Sequence, residues 1–171
     1  MTQPIAALSQ KAREHKHAYA GDEDRPLGTY SALVALYASV GLGTLVTVAR
    51  KRDAGLKAGD VALVAAATFK MSRTLTKSTV ASPLRAPFTR FAGVSGPSEL
   101  HEEMRVSGPA RALGELLTCP FCLSQWIATG FAAGLLVAPR QTRAVASVMA
   151  AAAGSDFLQL LYATAEQKAE G

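Results

Sequence analysis

The stretch PLGTYSALVALYASVGLGTLVTVA, residues 26–49, contains no charged side chain and is followed at once by Arg50, Lys51 and Arg52. About 20 apolar residues in a helix are enough to cross the hydrocarbon of a bilayer. Basic residues are typical of the ends of such a helix. The stretch therefore predicts a membrane-spanning helix, and a buried helix of a soluble domain is the alternative interpretation.

A second charge-free run covers residues 116–139. Trp126 near one end and Arg140 at the other are the residue types that anchor a helix at the two membrane surfaces. A third run, residues 144–165, is long enough to span and carries Asp156 as its only charged residue before Glu166. Both runs predict further membrane spans.

Residues 61–69 are apolar but too short to cross a bilayer by themselves. The run reaches spanning length only if the helix continues past Lys70 and Arg73. We predict an all-α, polytopic membrane helix bundle with about four transmembrane helices. The predicted spans are 30–49, 59–77, 120–138 and 144–164, with a polar N-terminal arm over 1–29 and a C-terminal tail over 165–171.

Residues 78–118 differ from the spans because they are polar and interrupted by proline. Pro83 and Pro87 each disfavour helix in the residue before them, which predicts an irregular segment at the level of the headgroups. Within it, SELHEEMRV is expected to form a short strand or hairpin. SGPARALGELLT is expected to form a helix, because Pro109 suits its first turn.

The composition also limits the classes of function. Of the 171 residues, 49% are hydrophobic and 18% charged, and the net charge is +5. The Lys and Arg residues flank apolar runs instead of clustering with aromatic residues, which favours anionic lipid headgroups over nucleic acid as the binding partner. Two cysteines exclude a secreted scaffold held by several disulfides.

Asp156 requires a partner, because an unpaired charge at membrane depth costs at least about 2.5–3.5 kcal/mol. Arg73 and Asp156 lie equally far along the second and fourth spans, so we predict that they face each other. Lys70, Gln125 and Gln159 are expected to join this intramembrane polar cluster. The pair either locks two helices together or forms part of an ion or proton relay, and we favour the lock.

The motif TCPFC places Cys119 and Cys122 one helical turn apart, with Pro120 at the first position of the helix. A thiol at a helix N-terminus has a lowered pKa, as in redox CxxC sites. The βαβ frame that usually carries such a motif is missing from this sequence. Packed free thiols, a redox or disulfide switch, and a metal site remain the three interpretations, in that order.

A zinc site requires four ligands. His101 with Glu102 or Glu103 would have to complete it from a distant loop, so no cofactor is predicted and zinc is the only metal considered. Glu102 and Glu103 are otherwise expected to face water. We find no set of residues typical of a catalytic site, which favours a non-enzymatic protein without excluding an enzyme.

Three segments carry a resemblance to a known family: FKMSRTLTKSTVASPLRAPFTRF, GELLTCPFCLSQWIATG and GSDFLQLLYA. Together they resemble the DUF1360 family of small bacterial integral membrane proteins. The resemblance covers residues 60–163 and implies a membrane location but no activity. Ser78 stands where the family pattern has an acid. The motif positions that it marks are Arg73, Pro83, Arg85, Pro87, Phe88, Glu115, Cys119, Pro120, Cys122, Trp126 and Asp156.

Four spans place both termini and residues 78–118 on the same side of the membrane. With Lys77 counted at its boundary, that side carries ten Lys and Arg residues and the opposite side six, which predicts a multi-pass protein of the cell membrane with cytoplasmic termini. We expect a non-enzymatic scaffold or partner-binding protein, with a second copy or another membrane protein as partner. A thiol-dependent redox or metal-binding protein is the alternative, and a transporter or channel accessory is third.

Overall fold

The computed structural model describes residues 3–21, 23, 25–50 and 57–170, so Lys51 and Arg52 of the basic flank lie outside the described residues. This part of the chain forms seven α-helices, a 3₁₀ turn (Thr79–Ala81) and one antiparallel two-stranded sheet. In chain order the elements are α1 (Gln3–Ala20), α2 (Leu27–Arg50), α3 (Ala58–Lys77), α4 (Ser82–Arg85), β1 (Thr89–Gly96), β2 (Glu99–Met104), α5 (Gly108–Thr118), α6 (Pro120–Val137) and α7 (Pro139–Glu170).

Three helices are long and apolar enough to cross a membrane: Leu27–Arg50, Pro120–Val137 and Pro139–Ala169. The prediction of a mostly helical chain with membrane-length apolar helices is confirmed. The predicted second span forms the 20-residue helix α3, which is not among these three. Its composition includes four charged residues: Asp60, Lys70, Arg73 and Lys77.

Helix α3 lies at the centre of the molecule and packs against both α6 and α7. A core cluster forms where Ala67 of α3, Phe131 of α6 and Ala146 of α7 meet. Both alanines are fully buried, and their small side chains let the helix backbones approach closely around the ring of Phe131. The packing therefore sets α3 between α6 and α7.

Helix α2 lies at the edge of this group and contacts α6. The Tyr37 ring packs edge-on against Trp126, with the ring centroids 5.3 Å apart. The Tyr37 hydroxyl is 3.1 Å from the hydroxyl of Thr129. Trp126, which the sequence suggests as a surface anchor, thus also makes a packing contact between α2 and α6.

The turn between α6 and α7 consists of Ala138 alone, and α7 begins at Pro139, five residues before the start of the predicted fourth span at residue 144. A Cβ atom on Gly134 would lie 2.7 Å from the Thr142 hydroxyl, a distance that forces the helices apart. Glycine at this position therefore permits the tight turn. Helix α7 continues to Glu170 and takes in most of the predicted tail.

Residues 78–118 contain the short hairpin and the helix predicted within them, as β1–β2 and α5, and they also contain α4, where no helix was predicted. Proline begins helices here: Pro83 lies in the first turn of α4, and Pro109 in the first turn of α5 after the N-cap Ser107. The hairpin pairs Thr89 with Met104 and contains two irregularities of register. We call residues 78–118 the interfacial cap. The predicted polar arm contains α1.

Candidate functional site

An ion pair joins α3 to α7 in the middle of both helices. The Lys70 ammonium lies 2.5 Å from a carboxylate oxygen of Asp156. The side chains are 25% and 45% exposed, respectively. The neighbouring rings of Phe69 and Phe157 stack with their centroids 5.6 Å apart. Asp156 therefore has a cationic partner on α3, and an aromatic contact lies beside the pair.

The predicted partner of Asp156 was Arg73, and the structure corrects this. Arg73 instead donates two hydrogen bonds to the Glu99 carboxylate, one of them from Nε at 2.9 Å. Glu99 begins β2 and is bridged to Ser78, the residue after α3. Because Arg73 is near this end of α3, the hairpin carboxylate lies within its reach. Lys70, one turn earlier, is left to pair with Asp156.

The two glutamines of the predicted polar cluster make other contacts. Gln159 donates to the Ser155 hydroxyl of its own helix at 3.3 Å. Gln125 is exposed on α6, and its backbone carbonyl accepts a hydrogen bond from the Thr129 hydroxyl at 2.9 Å. Of the five residues predicted to meet, the structure brings together Lys70 and Asp156.

A second ion pair between α3 and α7 was missed in the sequence. Arg143 binds Asp60 through two parallel hydrogen bonds, Nε to Oδ1 at 2.7 Å and Nη2 to Oδ2 at 2.9 Å. This bidentate geometry is the strong form of an arginine–carboxylate contact. The sequence contains the information that predicts this pair, because the two opposite charges lie at the starts of spans predicted to run in the same direction.

The most deeply buried charge in the described residues is Arg85, whose side chain is 0% exposed. Its Nε lies 2.5 Å from the carboxylate of Glu102, itself 6% exposed. The remaining nitrogens donate to the carbonyls of Leu75 at 2.7 Å and Ser78 at 3.0 Å. Arg85 therefore binds the C-terminal end of α3 to β2. Glu102 does not face water as predicted, whereas Glu103 is exposed.

The other residues of the SPLRAPF motif also hold the interfacial cap together. The Pro87 carbonyl accepts hydrogen bonds from Arg105 at 3.2 and 3.3 Å. The Phe88 side chain packs so closely on Gly114 of α5 that a Cβ there would lie 2.9 Å from it. Pro83 begins α4, as described above. These positions therefore serve packing and backbone contacts inside the cap.

Glu115 connects the cap to the start of α2. Its carboxylate accepts hydrogen bonds from the Tyr30 hydroxyl and from Arg111 Nε at 3.0 Å, and Arg25 approaches to 3.5 Å. Burial raises the pKa of Glu115, but the bonds from Tyr30 and Arg111 outweigh burial and bring the pKa below its ordinary value. The carboxylate is thus held ionised as the link between α2 and α5.

Cys119 is the N-cap of α6, with Pro120 in the first turn, as predicted. The backbone N–H of Cys122 donates to the Cys119 sulfur at 3.2 Å, and both thiols are free. Cys119 therefore satisfies one of the N–H groups that a helix start leaves without an intrahelical partner. His101 is on β2, paired with Gly93. Within residues 3–21, 23, 25–50 and 57–170, no three His, Cys, Asp or Glu side chains group as metal ligands.

The sequence profile of a family described as "Protein of unknown function (DUF1360)" matches residues 63–162, more than half of the chain. The chain belongs to the DUF1360 family. No curated protein and no solved structure matches it. The DUF1360 segment begins inside α3 and ends inside α7, so it holds Lys70, Asp156, the interfacial cap and both cysteines. Asp60 lies just before it.

Proposed function

We propose that this DUF1360 protein is a four-span integral membrane protein in which α2, α3, α6 and α7 all cross the bilayer. Helix α3 has 20 residues and a length of about 30 Å, equal to the hydrocarbon thickness. Three of its four charged residues have partners, and the fourth, Lys77, is the last residue of the helix. Asp60 is bound by Arg143, Lys70 by Asp156 and Arg73 by Glu99 of the cap. These pairings offset the desolvation that would otherwise keep α3 out of lipid.

Four crossings place both termini and the interfacial cap on one side of the membrane. The excess of Lys and Arg on that side supports a cytoplasmic location for them in the cell membrane. The α6–α7 turn and the segment between α2 and α3 then lie on the opposite face. This arrangement agrees with the link from Tyr30, at the start of α2, to Glu115 in the cap.

Reporter fusions test the number of crossings. A reporter active on one side only is attached in turn to the N-terminus, to the C-terminus and within the hairpin turn between Gly96 and Glu99. With four spans all three positions report the same side. If α3 does not cross, the two termini report opposite sides, and the proposal for α3 is refuted.

Within this architecture we propose that the interfacial cap binds a membrane protein or a second copy of the chain, as a non-enzymatic scaffold. The buried contact of Arg85 with Glu102 fixes the cap to the end of α3. On this fixed hairpin, Phe91 and Val94 are 67% and 71% exposed. Exposed apolar side chains on a rigid support are typical of a docking surface.

Site-specific photo-cross-linking in membranes tests the scaffold. A cross-linking residue at Val94 is expected to give a discrete protein adduct, identified by mass as a second copy or another membrane protein. The same residue at Val34, exposed on α2, is the control and is expected to give lipid adducts. Lipid adducts alone at both positions would refute protein docking on the cap.

A thiol-dependent redox or metal-binding function is the second candidate, because Cys119 and Cys122 are free and meet across one helical turn. The double variant Cys119→Ser/Cys122→Ser tests it, since serine keeps an N-cap for α6. A thiol function predicts that the double variant loses the activity of the wild type in complementation. An unchanged phenotype would leave Cys119 as a helix cap and exclude this candidate.

A further inference from the structure

A groove of about 380 Å³ lies between α6 and α7, with α3 as its floor. Ile127, Gly130 and Phe131 line the α6 side, and Val145 lines the α7 side. The two helices touch at Gly134 and Thr142 beside their shared turn. From this contact the groove extends to Ile127, seven residues before Gly134 in α6, or about 10 Å along the helix axis.

The groove changes in polarity along its length. At the end near the α6–α7 turn it is bordered by Gln141, whereas its deeper part is lined by Met71, Ile127, Phe131 and Val145. A volume of this size is typical of a ligand site. In a chain with the four spans proposed above, the polar end lies at a membrane surface and the apolar part at hydrocarbon depth.

The polar end of the groove is also basic. Arg140 is exposed next to Gln141, and Arg143 is partly exposed although bound to Asp60. Arg140, Arg143 and Lys57, which precedes α3, carry three positive charges, and Asp60 carries one negative charge. This surface therefore has an excess of two positive charges. An excess of positive charge at headgroup level attracts anionic lipids.

Gly130 forms part of the wall of the groove. A Cβ atom at this position would meet no atom within 4 Å. The glycine is therefore not required for helix contact, unlike Gly134, where the Cβ would strike Thr142. A larger residue at 130 would project into open space and not into the protein core.

We propose that the groove binds one acyl chain of an anionic phospholipid, whose phosphate lies beside Arg140 and Gln141. The inference rests on the proposed membrane insertion, because only at hydrocarbon depth do acyl chains meet the groove. The apolar lining receives the chain, and the basic end selects the charge of the headgroup. The site thus binds both the acyl chain and the headgroup of one lipid molecule.

The experiment uses the full chain purified in mild detergent and incubated with dioleoylphosphatidylglycerol or, separately, with dioleoylphosphatidylcholine. Retained lipid is counted by native mass spectrometry. The wild type is expected to retain one phosphatidylglycerol in preference to phosphatidylcholine. Gly130→Leu is expected to bind about tenfold more weakly because the side chain fills the groove. Gly154→Leu is the matched control, since a Cβ there also meets nothing.

A second variant tests the headgroup part of the proposal. Arg140→Gln is expected to keep acyl-chain binding but lose the preference for phosphatidylglycerol. Equal retention of lipid by the wild type and Gly130→Leu would overturn the inference, as would no retention by the wild type. A chain that remains monomeric without detergent would refute membrane insertion itself, whereas a chain that needs detergent but selects no lipid refutes the groove site alone.

Discussion

Replacement of Arg85 by methionine should release the interfacial cap from the end of α3. The substitution leaves the buried carboxylate of Glu102 without its cation and removes the donors to the carbonyls of Leu75 and Ser78. Breaking a buried ion pair by removing one partner costs about 3–5 kcal/mol. Each orphaned carbonyl adds about 1–3 kcal/mol if water does not reach it.

Hydrogen exchange of the β1–β2 amides in detergent measures this loss, because the contact opposes local opening of the hairpin. A loss of about 3–5 kcal/mol corresponds to exchange that is roughly 10²- to 10⁴-fold faster, up to the rate of an unprotected amide. Arg90→Met is the matched control. Arg90 binds Glu103 at the exposed surface of the same hairpin, where an ion pair contributes little.

The double variant Arg85→Met/Glu102→Met separates the two causes. It removes the unpaired carboxylate but not the two orphaned carbonyls, so its exchange should fall between that of the wild type and that of Arg85→Met. Two outcomes would refute this reasoning. One is wild-type protection in Arg85→Met, and the other is a double variant whose loss equals the sum of the two single losses.

Three further outcomes are expected. Lys70→Met should destabilise the protein in detergent more than Lys70→Met/Asp156→Leu does, as measured by thermal unfolding. A double variant less stable than Lys70→Met would exclude a structural ion pair. Gly134→Ala should destabilise by about 1–3 kcal/mol through overpacking, and Thr142→Ala should rescue it, whereas failure of the rescue would place the strain elsewhere. The pKa of Glu115 is below its ordinary value of 4.5, so its contribution to stability is present above pH 4.5 and is lost as the pH falls through the lower folded value. Glu115→Gln should remove this part of the pH dependence of unfolding. Identical pH profiles for the wild type and Glu115→Gln would contradict the prediction.

Much of the fold follows from the local sequence. Long uncharged runs determine α2, α6 and most of α7, because helix is the structure that satisfies backbone groups without water. The cap was harder to predict. Pro83 was taken as a helix breaker, but proline is equally suited to a first helical turn, and local sequence does not decide between the two. No helix was predicted at α1, because this part of the chain has no long apolar run.

The pairing of charges could be predicted only in part. Depth along a helix correctly indicated that Asp156 meets a cation of α3, but it did not distinguish Lys70 from Arg73, which are one turn apart. Lys70 is the partner of Asp156 because Arg73 is bound to Glu99 of the hairpin. The burial of Glu102 likewise depends on the fold of the cap around Arg85. Contacts between distant segments decided both cases.

The two ion pairs between α3 and α7 together specify the direction of these helices. Along α3 an acid, Asp60, precedes a base, Lys70; along α7 a base, Arg143, precedes an acid, Asp156. The helices run parallel, so each charge meets its opposite. If one helix were reversed, like charges would meet at both levels, and the cost of charge in lipid would be unrelieved. The separations along the helices are about 15 Å and about 20 Å, and the long Lys and Arg side chains bridge the difference. In lipid, the hydrophobic effect contributes little to which helices associate. In the four-span arrangement we propose, the opposite order of charges along α3 and α7 therefore selects their parallel pairing. The position of the cap depends on this pairing.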